Sequence, residues 1–82
     1  MNDHMLAIRL GELQVERDIL KAELVHLEQD LACLRDEYAK IHNEDTAKNI
    51  AGKLLGADFR CSYTKGRIEE LESEIKLLVG GD

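Results

Sequence analysis

Residues 6–41 read LAIRLGELQVERDILKAELVHLEQDLACLRDEYAKI, and apolar residues recur along this stretch in alternating steps of three and four. Eleven positions follow this pattern, and we call these positions the seam. All of them are Leu, Ile or Tyr except Arg17. The seam residues are Leu6, Leu10, Leu13, Arg17, Leu20, Leu24, Leu27, Leu31, Leu34, Tyr38 and Ile41. A repeat averaging about 3.5 residues keeps one stripe of a helix facing a partner helix. The stretch therefore predicts an all-α coiled coil.

Charged residues beside the seam favour a parallel homodimer. Across a parallel pair of copies, Glu16 would attract Lys21 of the other copy, and Asp30 would attract Arg35. An antiparallel self-pair would instead set acids mostly against acids. Arg17 within the seam favours two strands over three, because its guanidinium could reach a partner's glutamate. We therefore predict that the eleven seam residues form a dimer interface.

The heptad pattern fails at residues 43–46, which predicts a turn after a long helix over about residues 5–42. A short helix is predicted over 47–55 and a C-terminal helix over 67–79. Residues 57–66 fit two interpretations, a continuing helix with small seam residues or a loop. The chain is thus expected to be one domain in which a long helix is followed by a helical return segment.

A second apolar stripe, formed by Ile8, Val15 and Ile19, lies away from the seam at helical spacing. A plain two-stranded coil has polar residues at such positions. If the chain reverses near residue 44, its C-terminal helix returns beside this half of the first helix. We predict a helical hairpin in which this stripe is covered by Ile68, Leu71, Ile75 and Leu78. The alternative is a rod in which each leucine segment pairs with its own copy, and the stripe then becomes the best candidate for packing against a partner.

Composition limits the kind of protein. The chain has 82 residues with three aromatic side chains and two cysteines, so a self-contained globular core would be thin. Its net charge is −6, which makes it acidic overall. Neither a signal peptide nor a run of about 20 apolar residues is apparent, so we expect a cytoplasmic protein with no membrane partner.

Side chains that carry chemistry do not form a recognisable motif. His26 and Cys33 lie one heptad apart, about 10 Å along a helix, which is too far to share a metal ion. Acid pairs such as Asp36–Glu37 are adjacent in sequence, so they point in different directions on a helix. We predict no catalytic residue, no cofactor and no metal.

Residues 48–67 carry five bases against the single acid Asp58, and two aromatic residues lie among them. The segment contains Lys48, Lys53, Phe59, Arg60, Tyr63, Lys65 and Arg67. Bases interleaved with aromatics are typical of modest nucleic-acid-binding patches. The competing interpretation, which we favour, sets these bases against acidic residues of a neighbouring helix.

These patterns favour a protein that is not an enzyme. We expect a homodimeric coiled-coil adaptor or scaffold that docks another protein. The alternative function is a small regulator that acts on nucleic acid, or on a nucleic-acid-binding protein, through the basic segment.

Overall fold

The chain folds as an antiparallel hairpin of two long helices in the computed structural model, which describes residues 3–80. Helix α1 spans Asp3–Lys40 and helix α2 spans Glu44–Gly80. The described part measures 62 × 18 × 14 Å and contains no strand. The predicted all-α helical hairpin is confirmed, and the chain does not adopt the extended rod.

Asn43 begins the second helix. Its side-chain Oδ1 accepts hydrogen bonds from the backbone amides of Asp45, at 2.9 Å, and Thr46, at 3.2 Å. These amides have no partner within the helix, so an asparagine cap satisfies them. The turn therefore occupies residues 41–43, earlier than the 43–46 predicted. The acid Asp45 falls in the first turn of α2, where the helix dipole favours negative charge.

The seam of α1 packs against α2 of the same chain. Near the open end of the hairpin, Leu13 and Leu71 are each only 1% exposed and form a core with Ile75. Near the turn, a second core joins Leu31 with smaller residues of α2. A parallel dimer along this seam, as predicted, would have to displace α2. An assembly of two intact hairpins therefore needs another surface, and dimerisation itself stays a prediction.

The second apolar stripe of α1 is not covered by α2, contrary to the packing predicted from the sequence. Ile8 is 49% exposed, and Val15 and Ile19 are each 59% exposed. The residues expected to cover them, Ile68, Leu71, Ile75 and Leu78, lie on the seam side of the hairpin, where the first three are buried and Leu78 packs against the core. Their 3/4 spacing fits the seam, and helix α2 can turn this face toward only one side of α1.

Helix α2 has an uninterrupted heptad of its own. The residues 57–66 left open by the sequence are helical and join the two predicted segments into one helix. Small residues hold the seam positions there, because Ala57, Cys61 and Thr64 are all buried. Small side chains still complete a core when they face leucines, and here they face Leu24, Leu27 and Leu31.

Ion pairs along one edge of the hairpin match α1 to α2. Arg9 Nη2 lies 3.1 Å from Glu74 Oε1, and Arg67 Nη2 lies 3.2 Å from Glu16 Oε1. Arg9 and Glu16 are one heptad apart on α1, and Arg67 and Glu74 are one heptad apart on α2. Both helices carry the base before the acid along the chain, so only an antiparallel register brings both opposite-charge pairs together.

The other edge repeats this arrangement with different residues. Lys21 Nζ lies 3.8 Å from Glu72 Oε2, and Lys65 Nζ lies 3.9 Å from Glu28 Oε2. All four side chains are about half exposed, so each pair contributes only about 0.2–1 kcal/mol. Four such pairs specify the register more than they stabilise the fold.

Candidate interaction surfaces

One surface open to a partner is the outer face of α1, on the side opposite the seam. Five large apolar side chains lie on it, each about half or more exposed, and we call them the α1 outer stripe. They are Met5, Ile8, Val15, Ile19 and Val25. The stripe covers about 30 Å of helix, from the 20 residues between its ends at about 1.5 Å each. Exposed apolar side chains grouped in this way mark sites of contact with other molecules.

A second open surface is the outer face of α2, which we call the Phe59 face. Leu55, Phe59 and Tyr63 are 74%, 71% and 68% exposed, and they follow one another at four-residue steps. Two glycines, Gly52 and Gly66, lie one heptad before and after Phe59. A Cβ added at either glycine would meet nothing within 4 Å, so the surface is open at both ends of the aromatic cluster.

Three bases of segment 48–67 are engaged with acids of the same chain. Arg67 binds Glu16 of α1 and also Glu70, one turn along its own helix, at 3.1 Å. Hydrogen bonds to Glu70 and then to Glu16 raise the pKa of Arg67 above its ordinary value, helped by the negative charge of Glu16. Lys65 pairs across the hairpin, as described above, and Lys48 Nζ lies 3.8 Å from Glu44 Oε1.

Two further bases of that segment face acidic residues of α1. Arg60 and Glu23 line the same groove between the helices, and Lys53 and Asp30 line another. Both pairs continue the edge formed by Arg67 and Glu16, at heptad intervals. Apart from Lys48, the bases predicted as a possible phosphate contact therefore lie along the hairpin's edges beside acids of α1.

Arg17 occupies a seam position but turns away from the core. Its side chain is 26% exposed, and Nε and Nη2 reach Oδ1 of its neighbour Asp18, at 3.2 and 3.1 Å. In the predicted parallel dimer it would have reached Glu16 of a second copy. In the hairpin, Glu16 instead contacts Arg67, so Arg17 takes the nearest acid that lies outside the core.

Within residues 3–80, no group of three or more His, Cys, Asp or Glu side chains is arranged to hold a metal ion. Cys33 is exposed and Cys61 is buried in the turn-end core, so the two thiols lie in different environments. No helix in the same part of the chain combines the length and apolar character needed to cross a membrane.

Sequence reasoning did not identify the Phe59 face as a surface of α2. It grouped Phe59 and Tyr63 with the neighbouring bases, because the segment had no certain secondary structure. A heptad pattern continued through Ala57, Cys61 and Thr64 would have separated the aromatics from the bases. It places the aromatic residues on the outer face of the helix and most of the bases on the hairpin edges. Small residues at seam positions give a weak signal, and this is why it was missed.

No protein-family model, curated protein or solved structure matches this chain. The function is therefore argued from its surfaces alone.

Proposed function

We propose that this protein is a non-enzymatic protein–protein interaction module, a homodimeric adaptor or scaffold that docks another protein through the α1 outer stripe. The observation that carries the proposal is the exposure of this stripe in a chain whose seam is already covered. Five apolar side chains remain on one face, although α2 had the length to cover them.

The shape of the stripe favours a helix as the docking element. Ile8, Val15 and Ile19 repeat at helical spacing along a straight helix, and an amphipathic helix can present apolar residues at the same spacing. Helix α1 carries nine acids against five bases. A docking helix with basic residues beside its apolar stripe would complement this excess of negative charge.

The alternative regulator of nucleic acid has less support. The basic segment on which it relied is paired or aligned with acids of the hairpin, so little of its charge is available to phosphate. Binding to DNA and RNA across a range of salt concentrations checks this, because phosphate contacts weaken steeply as ionic strength rises.

Site-specific photo-cross-linking in the native host tests the proposal. A benzoylphenylalanine at position 15 should capture a different protein, and Ile19→Glu in the same chain should abolish the adduct. The matched control is position 36, which shares the heptad position of Val15 and is also exposed but lies beyond the stripe. Equal adducts at both positions, or none at position 15, would contradict docking through the stripe.

A further inference from the structure

Residues of the Phe59 face are arranged symmetrically about Phe59. Counting outward from Phe59, Leu55 and Tyr63 lie four residues away on either side, and Gly52 and Gly66 lie seven away. At three residues on either side are two small residues, Gly56 and Ser62. The two residues of each of these three pairs therefore match in size or apolar character.

Two residues of opposite charge lie at equal distances from Phe59, one at each end of the face. Eleven residues before Phe59 is Lys48, and eleven residues after it is Glu70. Two antiparallel copies of α2 crossing at Phe59 would place Lys48 of each beside Glu70 of the other. A parallel crossing would instead set lysine against lysine and glutamate against glutamate.

We propose that a second copy of this chain packs on the Phe59 face, so that two hairpins associate antiparallel through their α2 helices about a two-fold axis at Phe59. In this dimer Phe59 meets Phe59 of the second copy, and Leu55 packs beside Tyr63. The small Gly56 and Ser62 leave room on either side of the central pair of rings. Aromatic side chains at the centre of an interface contribute a disproportionate share of the binding energy.

The other faces of the hairpin do not suit self-association equally well. Most of the seam is already covered by α2, and Tyr38 near its turn end is 46% exposed. On the outer face of α1, two acids, Glu12 and Asp18, lie among the stripe residues, and each is paired with a base of its own helix, so this face offers no base and acid placed to attract across a dyad. The Phe59 face has one base and one acid placed to attract across the dyad. Such a contact is isologous, so it closes at two copies and does not propagate.

The dimer rests on the homodimer of the proposed function, to which it gives an interface, and it uses a different helix face from the one proposed for docking. The two α1 outer stripes would lie on opposite sides of the assembly, each still open to a partner. Loss of the dimer would therefore leave docking to one stripe intact, and loss of docking would leave the dimer intact. The two proposals can fail separately.

Sedimentation equilibrium of the full chain, over loading concentrations of about 1 μM to 1 mM, measures the dissociation constant of the dimer into 9.3 kDa monomers. Phe59→Glu should raise the dissociation constant at least about 30-fold. Both copies carry the substitution, so it places two negative charges next to each other at the dyad. The matched control, Leu77→Glu, replaces an exposed leucine of the same helix outside the face and should leave the constant unchanged within about twofold. Circular dichroism should show that both variants keep the wild-type helix content.

The direction of packing is tested by reversing the end charges. Lys48→Glu and Glu70→Lys should each weaken the dimer, and the double variant should restore the wild-type dissociation constant. Parallel packing would leave each single variant as strong as the wild type, because it only exchanges one like-charged pair for another. A wild-type chain that stays monomeric throughout, or a dimer that tolerates Phe59→Glu, would overturn the proposal.

Discussion

Helix α1 carries two apolar faces, a regular seam with 3/4 spacing and a sparser outer stripe, and the protein uses them differently. On the seam, Leu13 is almost completely buried against α2. On the outer stripe, Val15 and Ile19 lie only a few residues away along the helix and are more than half exposed. Hydrophobicity alone does not explain the choice, because both faces offer large aliphatic side chains.

Two properties distinguish the seam from the stripe. The seam runs along the whole of α1, whereas the stripe stops at Val25 and gives way to Gln29 and Asp36 on the same face. The seam is also flanked on both edges by charges that match α2 in an antiparallel register. A returning helix of equal length therefore gains more contact and better paired edges on the seam.

The largest expected effect comes from placing a charge on each face in turn. Leu13→Asp would bury a carboxylate without a partner in the open-end core, at a cost of about 3–5 kcal/mol. For a chain of this size that is most of the free energy of unfolding. Thermal unfolding followed by circular dichroism should show a much lower midpoint or no folded baseline.

The matched control is Val15→Asp, on the outer stripe of the same helix. It should change the free energy of unfolding by no more than about 0.5 kcal/mol, because the side chain stays in water. If both variants lost equal stability, or if Val15→Asp lost more, the stripe rather than the seam would hold the hairpin together.

A smaller effect is expected where the seam itself is imperfect. Arg17→Leu should raise the free energy of unfolding by about 1 kcal/mol, because leucine adds buried apolar area at a seam position where the arginine guanidinium pairs with the adjacent Asp18 and not across the hairpin. Urea denaturation measures this change. Arg9→Leu is the control, since Arg9 pairs with Glu74 across the hairpin and its replacement should give no such gain. A less stable Arg17→Leu protein would show that Arg17 has a stabilising role in the seam.

The smallest effect concerns the charged edges. A double-mutant cycle with Glu16→Gln and Arg67→Gln should give a coupling energy of about 0.2–1 kcal/mol, as is usual for exposed ion pairs. The coupling should shrink as salt is added, because both side chains are well exposed. Zero coupling at low salt would mean that this pair does not contribute to the choice of the seam.

Much of the fold could be predicted from local spacing. The long heptad of α1, its failure beyond Ile41 and the C-terminal repeat of Ile68, Leu71 and Ile75 all predicted helices where the structure has them. The middle of α2 could not be assigned, because Ala57 and Thr64 at seam positions resemble residues of a loop as much as of a helix. Their burial depends on the leucines opposite them, which no local pattern contains.

The candidate surfaces were predicted less well than the fold. Ile8, Val15 and Ile19 were identified as a second apolar stripe, but their exposure was not expected. Phe59 and Tyr63 were grouped with the neighbouring bases as a possible partner or phosphate contact, because their separation from Arg67 around the helix was unknown, and that contact stays a prediction. Which residues share a face becomes certain only once the helix through residues 57–66 is continuous.

The sequence by itself determined that this chain forms two amphipathic helical segments and that it reverses near residue 44. These features follow from spacing, capping residues and chain connectivity, all of which act over a few residues. Only the tertiary structure decided which stripe of α1 the return helix covers, and therefore which surfaces stay open. That choice depends on the simultaneous fit of a whole seam and two charged edges, since each apolar stripe taken alone would have been an acceptable partner.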